Sequence, residues 1–327
     1  MPSIYTHAVF ANKVKNELSK ELKEIIEKKN DFYIMFSQSF DNLYYYNFLS
    51  FNSGKKIRNL GKYAHTHKTN EYFKNLITYI KEKRLENKPE VLMYLFGAIN
   101  HYISDSMLHP YISYRTGRYS KKRKQETRKY LGKHTAAEIQ LDAYYYELIE
   151  KKSYKKYKIY KEFIKKLCFS KELIKTINHT FKQTFDVDNM GIIFNKSYNQ
   201  SKYVYKFLMY DPFGIKNFIY KAIDSLIPNL DMKISSFSLF KEPVEERFFN
   251  RKNNAWCNPA DMDMLSEESW DELFKKTVKR SAKTIKQAYM VLNNKMSIEK
   301  FLKNLGNNSY TTGLDLSDKR ITKYYEY

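Results

Sequence analysis

Six of the seven histidines of this chain lie within its first 134 residues. His101, Asp105 and His109 are spaced i, i+4, i+8, and His134 and Glu138 repeat the i, i+4 step. A helix turns roughly 100° per residue, so four residues return a side chain to nearly the same face. Neutral imidazoles and carboxylates converging in this way are the ligand set that zinc takes. Asp105 has a histidine one turn before it and another one turn after, a good place for a carboxylate that gives one oxygen to each of two ions. An isolated H-x-x-x-D pair carries little weight. With the third histidine and the H-x-x-x-E pair behind it, the pattern points to a polynuclear metal site rather than to unrelated surface histidines.

The elements that must position these residues read as helices. Phe10, Val14, Leu18, Leu22 and Ile25 predict an amphipathic helix over about 7–29. Residues 31–60 read as an aromatic loop with short turns. Thr69 predicts the cap of a helix carrying Phe73, Leu76, Ile77 and Ile80. Pro89 suits the first turn of the next helix, whose start is apolar nearly all round and therefore central, and Pro110 predicts its end near Leu108. The basic stretch 115–133 reads as a loop. Further helices are expected over 134–150, 153–168, 170–186, 211–226 (Asp211 as N-cap) and 267–294 (Ser266 as cap). A last short turn ends at Leu305-Gly306. No sustained period-two stretch and no internal repeat occurs. The expectation is an all-α, multi-helix bundle around a polynuclear zinc site. It has one domain over 1–305, with a metal-site core 1–150 and accessory helices 151–305, and a loose polar tail over 306–327.

Hydrophobic residues make up 43% of the chain and aromatics 17%, enough for a large core and against wholesale disorder. Nine glycines and seven prolines suit long helices better than a turn-rich β fold. The net charge of +22 invites a polyanion, either nucleic acid or an anionic membrane surface. The joint abundance of lysine, asparagine, isoleucine and tyrosine also fits an AT-rich coding bias. Cys168 and Cys257 make no zinc-ligand spacing and no disulfide framework. No apolar window of about 20 residues appears, and the opening residues lack a basic region followed by an apolar run, so a cytoplasmic location is expected.

The segments His101-Tyr102-Ile103-Ser104-Asp105-Ser106-Met107-Leu108-His109-Pro110-Tyr111 and His134-Thr135-Ala136-Ala137-Glu138 resemble the bacterial zinc-dependent phospholipase C family. That family is distantly related to fungal single-strand nucleases with three zinc ions. Similar segments follow in the same order: Met1-Pro2-Ser3-Ile4-Tyr5-Thr6-His7, Gln38-Ser39-Phe40-Asp41, and Gly61-Lys62-Tyr63-Ala64-His65 leading to Glu71-Tyr72-Phe73. Trp256-Cys257-Asn258-Pro259 and Ser269-Trp270-Asp271-Glu272-Leu273-Phe274 complete the series. The resemblance reaches from residue 1 to about 294 and is most specific over 97–138.

The resemblance implies two or three zinc ions. Asp41, His65, His101 and Asp105 would hold one, and His109, His134 and Glu138 a second. A third would take His7, the shared Asp105 and the terminal amine and carbonyl of Pro2, provided Met1 is removed. Gln-Ser-Phe-Asp departs from the Gly-Pro-Asp of the family at Asp41. The register to Glu71-Tyr72-Phe73 favours His65 over His67, which would stand behind the ligands or in solvent. Asp142, one turn past Glu138, would orient a ligand or lie exposed. The implied activity is phosphodiester hydrolysis of a phospholipid, giving diacylglycerol and a phosphorylated head group. Asp41 would accept the proton of the attacking water, and Asp105 would bridge. Two alternatives stand beside it: a zinc-dependent single-strand nuclease, which the basic charge favours, and a non-catalytic helical binding protein that metal stabilises.

Overall fold

Ser19 divides what the apolar periodicity presents as one helix. In the computed structural model, which describes residues 4–48, 50 and 52–326, α1 (Ile4–Asn16) ends before it, and Ser19 caps α2 (Lys20–Glu27) by accepting from the Leu22 N–H. The stretch expected as loop holds α3 (Asn30–Phe36), a 3-10 segment Ser39–Tyr45 and α4 (Lys55–Ala64). These pieces are short and crowded with aromatics, which blurs the 3.6-residue period. Then come α5 (Thr69–Glu82), α6 (Pro89–Thr116), α7 (Lys124–Thr127), α8 (Lys133–Glu150) and α9 (Ile159–Glu162). The chain continues through α10 (Lys171–Phe185), α11 (Met190–Val204), α12 (Ile215–Leu226), α13 (Trp270–Leu292) and α14 (Ile298–Leu305). One antiparallel hairpin, β1 (Trp256–Asn258) with β2 (Asp261–Ser266), pairs Trp256 with Ser266 and Cys257 with Leu265. The all-α expectation therefore holds.

Several boundaries move. Ser269, not Ser266, caps α13, in a reciprocal box with Glu272. The Asp211 carboxylate accepts from the Lys216 and Asn217 N–H groups but stands ahead of a helix that begins at Ile215. The predicted helix 153–168 shrinks to the single turn of α9, and α11 was not expected.

The largest correction is α6, which runs straight through Pro110 to Thr116. Proline removes the donor that would serve the carbonyl four residues back, here that of Ser106. Gly313 lies against that carbonyl so closely that an added Cβ would come within 2.5 Å of it, and its φ of +69° also suits glycine. A segment from the far end of the chain therefore covers the defect.

α6 is the centre of the molecule, buried continuously from Val91 to Ser106 and packed against α3 and α13. Gly97 admits Phe36 of α3, whose Cβ an added Cβ would approach to 2.4 Å and whose backbone carbonyl carbon to 2.6 Å. Beside His101, buried Asn100 donates to Ser37 Oγ at 3.3 Å and accepts from Ser281 Oγ at 2.7 Å, tying three helices together. One hydrophobic cluster extends from Ile4 to Tyr310. Residues 306–316, expected to be loose, form a strap across α5 and α6. Tyr310 is fully buried, and Tyr102 Oη donates to the Gly306 carbonyl while accepting from the Asn308 N–H. Among the described residues no helix is long and apolar enough to cross a membrane.

Candidate metal centre

α6 presents His101, Asp105 and His109 along one face, as their spacing demands. α8 brings His134 and Glu138 opposite, α4 ends at His65, the 3-10 segment carries Asp41, and α1 supplies His7. His7, Asp41, His101 and Asp105 offer ligand atoms within 4.8 Å of one another, and His109, His134 and Glu138 do the same. The second set is the one expected. The first merges two expected sets, because His7 joins the Asp41–His101–Asp105 group. Pro2, expected to complete a third site, lies outside the described residues.

His65 belongs to the same neighbourhood. Its Nε2 is 3.2 Å from Asp41 Oδ1 and 3.2 Å from His101 Nε2. The Gly61 carbonyl takes the His65 Nδ1 proton at 2.6 Å, which leaves an Nε2 lone pair turned toward that carboxylate and that imidazole. The same device orients His109, whose Nδ1 donates to the Tyr310 carbonyl at 2.9 Å while Nε2 faces Glu138 Oε1 at 3.4 Å. His134 Nε2 is 3.2 Å from that same oxygen.

Asp105 stands between the groups. Its Oδ1 is 3.4 Å from His7 Nε2, and its Oδ2 is 3.5 Å from His101 Nε2, 3.8 Å from His65 Nε2 and 3.6 Å from His109 Nδ1. Oδ2 is buried without a hydrogen-bond partner among the described residues. A buried carboxylate oxygen ringed by imidazole nitrogens, none of them bonded to it, is costly unless a cation sits among them. A cavity of about 30 Å³ opens beside His7, Asp105, His109 and Glu138, large enough for one small ion or water. The donor set, imidazole nitrogen with carboxylate oxygen and no thiolate, fits zinc.

The electrostatics agree. Burial pushes the His101 imidazole down to about 4, against the pull of Asp105 and Asp41, so it is neutral and ready to bind metal at pH 7. Burial also opposes ionisation of Asp41 and Glu138, yet both stay well below the usual carboxylate range, first through the charge of the terminal amine and then through His65 and His101 at Asp41 and His134 and His109 at Glu138. Burial lowers His134, with Glu138 pulling it back. At His109 burial loses: Asp105 and Glu138 raise it to about 8.

The two residues expected behind the ligands part company. His67 is exposed, stacks on the Tyr63 ring at 3.9 Å and directs Nδ1 to the Tyr63 carbonyl, so it faces away from the cluster. Asp142 is buried. It accepts from the Thr6 N–H at 2.7 Å, Thr6 Oγ1 at 2.8 Å and the Tyr5 N–H at 3.1 Å, clamping the first turn of the helix that carries His7.

Three contributors escaped the sequence reading. Tyr310 packs its ring 5.2 Å from His65 and 5.6 Å from His101 and donates its N–H to the His65 carbonyl; nothing in Asn308-Ser309-Tyr310 announces this. Tyr44 stacks nearly parallel to His65 at 6.1 Å. Arg118, just past α6, is half-buried. Burial lowers its guanidinium while Tyr325, Tyr44 and Glu138 pull the other way, and its charge is felt at His134. It makes no hydrogen bond or ion pair among the described residues.

Comparison with known proteins agrees with this geometry. Searches of curated proteins and of solved structures returned no match. The family model described as zinc dependent phospholipase C matches residues 6–189, more than half of the chain and every described candidate ligand. The chain belongs to the zinc-dependent phospholipase C family.

Proposed function

We propose that this chain is a phospholipase C-type phosphodiesterase, cleaving a phospholipid into diacylglycerol and a phosphorylated head group. The observation that carries the reading is the Asp105 carboxylate, buried between two groups of imidazole and carboxylate ligands. His7, Asp41, His65, His101 and Asp105 would form the inner group, and His109, His134 and Glu138 the outer. Zinc held there supplies a water of lowered pKa and Lewis acidity toward phosphoryl oxygens. Asp41 would accept the proton of the attacking water. Arg118, which makes no ion pair among the described residues and is electrostatically coupled to Glu138 and His134, would neutralise a phosphate oxygen of the substrate. Gly61 and Tyr310 hold two ligand imidazoles in the tautomer that keeps Nε2 for metal.

Three parallel assays of the zinc-loaded chain test the reading: phosphatidylcholine vesicles, a chromogenic phosphocholine ester and single-stranded DNA. Release of diacylglycerol is the expected result. Hydrolysis of DNA alone would assign the nuclease instead, and inertness toward all three would leave metal as a structural element.

A further inference from the structure

α12 is an amphipathic helix turned inside out. Ile215, Phe218, Ile219 and Leu226 recur at helical spacing, yet no residue of α12 is buried. Phe213 just ahead of it is 80% exposed, Phe218 76% and Leu226 80%. A helix packed on a water-soluble domain turns such a stripe inward. Here the polar side is the one fastened down. Lys216 Nζ donates to the Phe207 and Tyr210 carbonyls at 2.9 and 2.7 Å, and Tyr220 Oη to the Leu208 carbonyl at 2.9 Å. The Asp224 carboxylate accepts from the Ile234 and Ser235 N–H groups at 2.7 and 3.1 Å. The apolar side is thereby held outward, and exposed Phe207 extends it.

Both ends of this segment reach the flanks of the metal centre. On one side Phe207 and Leu208 line a mostly apolar cavity of about 450 Å³ with Tyr45, the neighbour of the Tyr44 that stacks on His65. On the other, Asp231 accepts from Tyr119 Oη at 2.5 Å and pairs with Lys121 and Lys124 at 3.1 and 3.3 Å, on the loop that follows Arg118. Lys233 and Ser236 press on Gly132, two residues before His134. The charges sort in the same sense. The acids of the segment, Asp211, Asp224 and Asp231, are engaged by backbone N–H groups or by Tyr119 and lysines. Exposed Lys206 and Lys221 pair with no carboxylate among the described residues.

We propose that α12, with Phe207 and Phe213, is a lipid-docking face that seats the chain on an anionic bilayer with its metal centre beside the surface. An outward apolar stripe bordered by cations is the pattern of helices that lie in the plane of the interface. The proposal rests on the phosphodiesterase reading for its purpose, but binding is measured without turnover. The test is co-sedimentation of the zinc-loaded full chain with vesicles of phosphatidylcholine, alone or mixed with phosphatidylglycerol. It compares wild type with Phe213→Ser/Phe218→Ser, the fold of each checked by circular dichroism and melting temperature.

Wild type is expected to bind the mixed vesicles more tightly, and the double variant to lose at least about tenfold in partitioning. Its turnover on vesicles should fall alike while the soluble phosphocholine ester is cleaved as before. Equal partitioning of wild type and variant overturns the proposal. So does a wild-type dimer that the double substitution dissociates, since a second copy would then cover the face. Binding that depends on the two phenylalanines without any phospholipid hydrolysis leaves the docking face standing and removes the phospholipase reading.

Discussion

The two ligand groups share one chemistry but not one environment. The inner group is the more buried: the His101 side chain is 0% exposed, that of Asp105 3% and that of His65 6%, although His7 keeps 12%. In the outer group His134 keeps 23%. The inner ligands come from the middle of the most buried helix and from elements packed on it, so their positions are set by the core. The outer ones come from the later turns of α6 and the first turns of α8, with a strap carbonyl orienting His109. What the difference teaches is a division of labour. On the proposed reading the inner group would retain an ion, whereas the outer group, whose His134 feels the charge of Arg118, would meet the phosphate.

Asp105 is where that distinction is broken most completely, because its two oxygens face ligands of both groups. Asp105→Asn keeps the shape and removes the charge. Zinc content should fall in both groups, and turnover on the phosphocholine ester should drop on the order of 10³-fold. Retention of full zinc in metal analysis would mean that Asp105 bridges nothing.

His134→Gln sharpens the distinction by touching the outer group alone. Part of the zinc should remain, turnover should fall about 100-fold, and the melting temperature of the zinc-loaded protein should move little. Loss of all metal from this variant would merge the two groups into one.

How much of this the sequence disclosed follows from how each part is encoded. His101, Asp105, His109, His134 and Glu138 were legible because helical periodicity alone puts them on common faces. Asp41, His65 and His7 gave no such signal; only the resemblance of their segments pointed to them, and the fold brings them in from three separate elements. Tyr310 was illegible, since it contributes a carbonyl and an N–H, which every residue owns. Pro110 misled for a related reason. The local rule that ends helices at proline is overridden by a glycine 203 residues later that covers the freed carbonyl of Ser106. α12 shows the converse: a helix over 211–226 was expected and one forms over Ile215–Leu226, but the direction of its apolar face cannot be read from the sequence.

The strap reaches both groups, through the His65 carbonyl and through His109 Nδ1, so loosening it should weaken both together. Gly313→Ala adds a Cβ against the Ser106 carbonyl at a positive φ. It should cost about 1–3 kcal/mol in stability and about tenfold in zinc affinity, read by thermal melting and competition with a chelator. An unchanged zinc affinity alongside lowered stability would reduce the strap to a structural tie.

The smallest effect separates the groups by protons. In the metal-free protein His109, raised to about 8 by Asp105 and Glu138 against the effect of burial, carries a proton at pH 7 that zinc must displace. His101, lowered to about 4 by burial, carries none. Filling the outer group at pH 7 should therefore release about one proton, and its affinity should weaken as pH falls below about 8, approaching about tenfold per unit. The affinity due to His101 should stay flat until pH nears 4. The stability of the metal-free protein runs the other way. A histidine whose folded value lies above its ordinary one stabilises fully below about 6.5, and that contribution disappears as pH rises through about 8. Zinc-loaded and zinc-stripped samples should thus diverge in melting temperature between those limits, the loaded one gaining and the stripped one losing. Calorimetric zinc titrations in two buffers of different ionisation heat count the protons directly. Equal proton release from both groups would show that the contrast in burial has no consequence for how the ions are held.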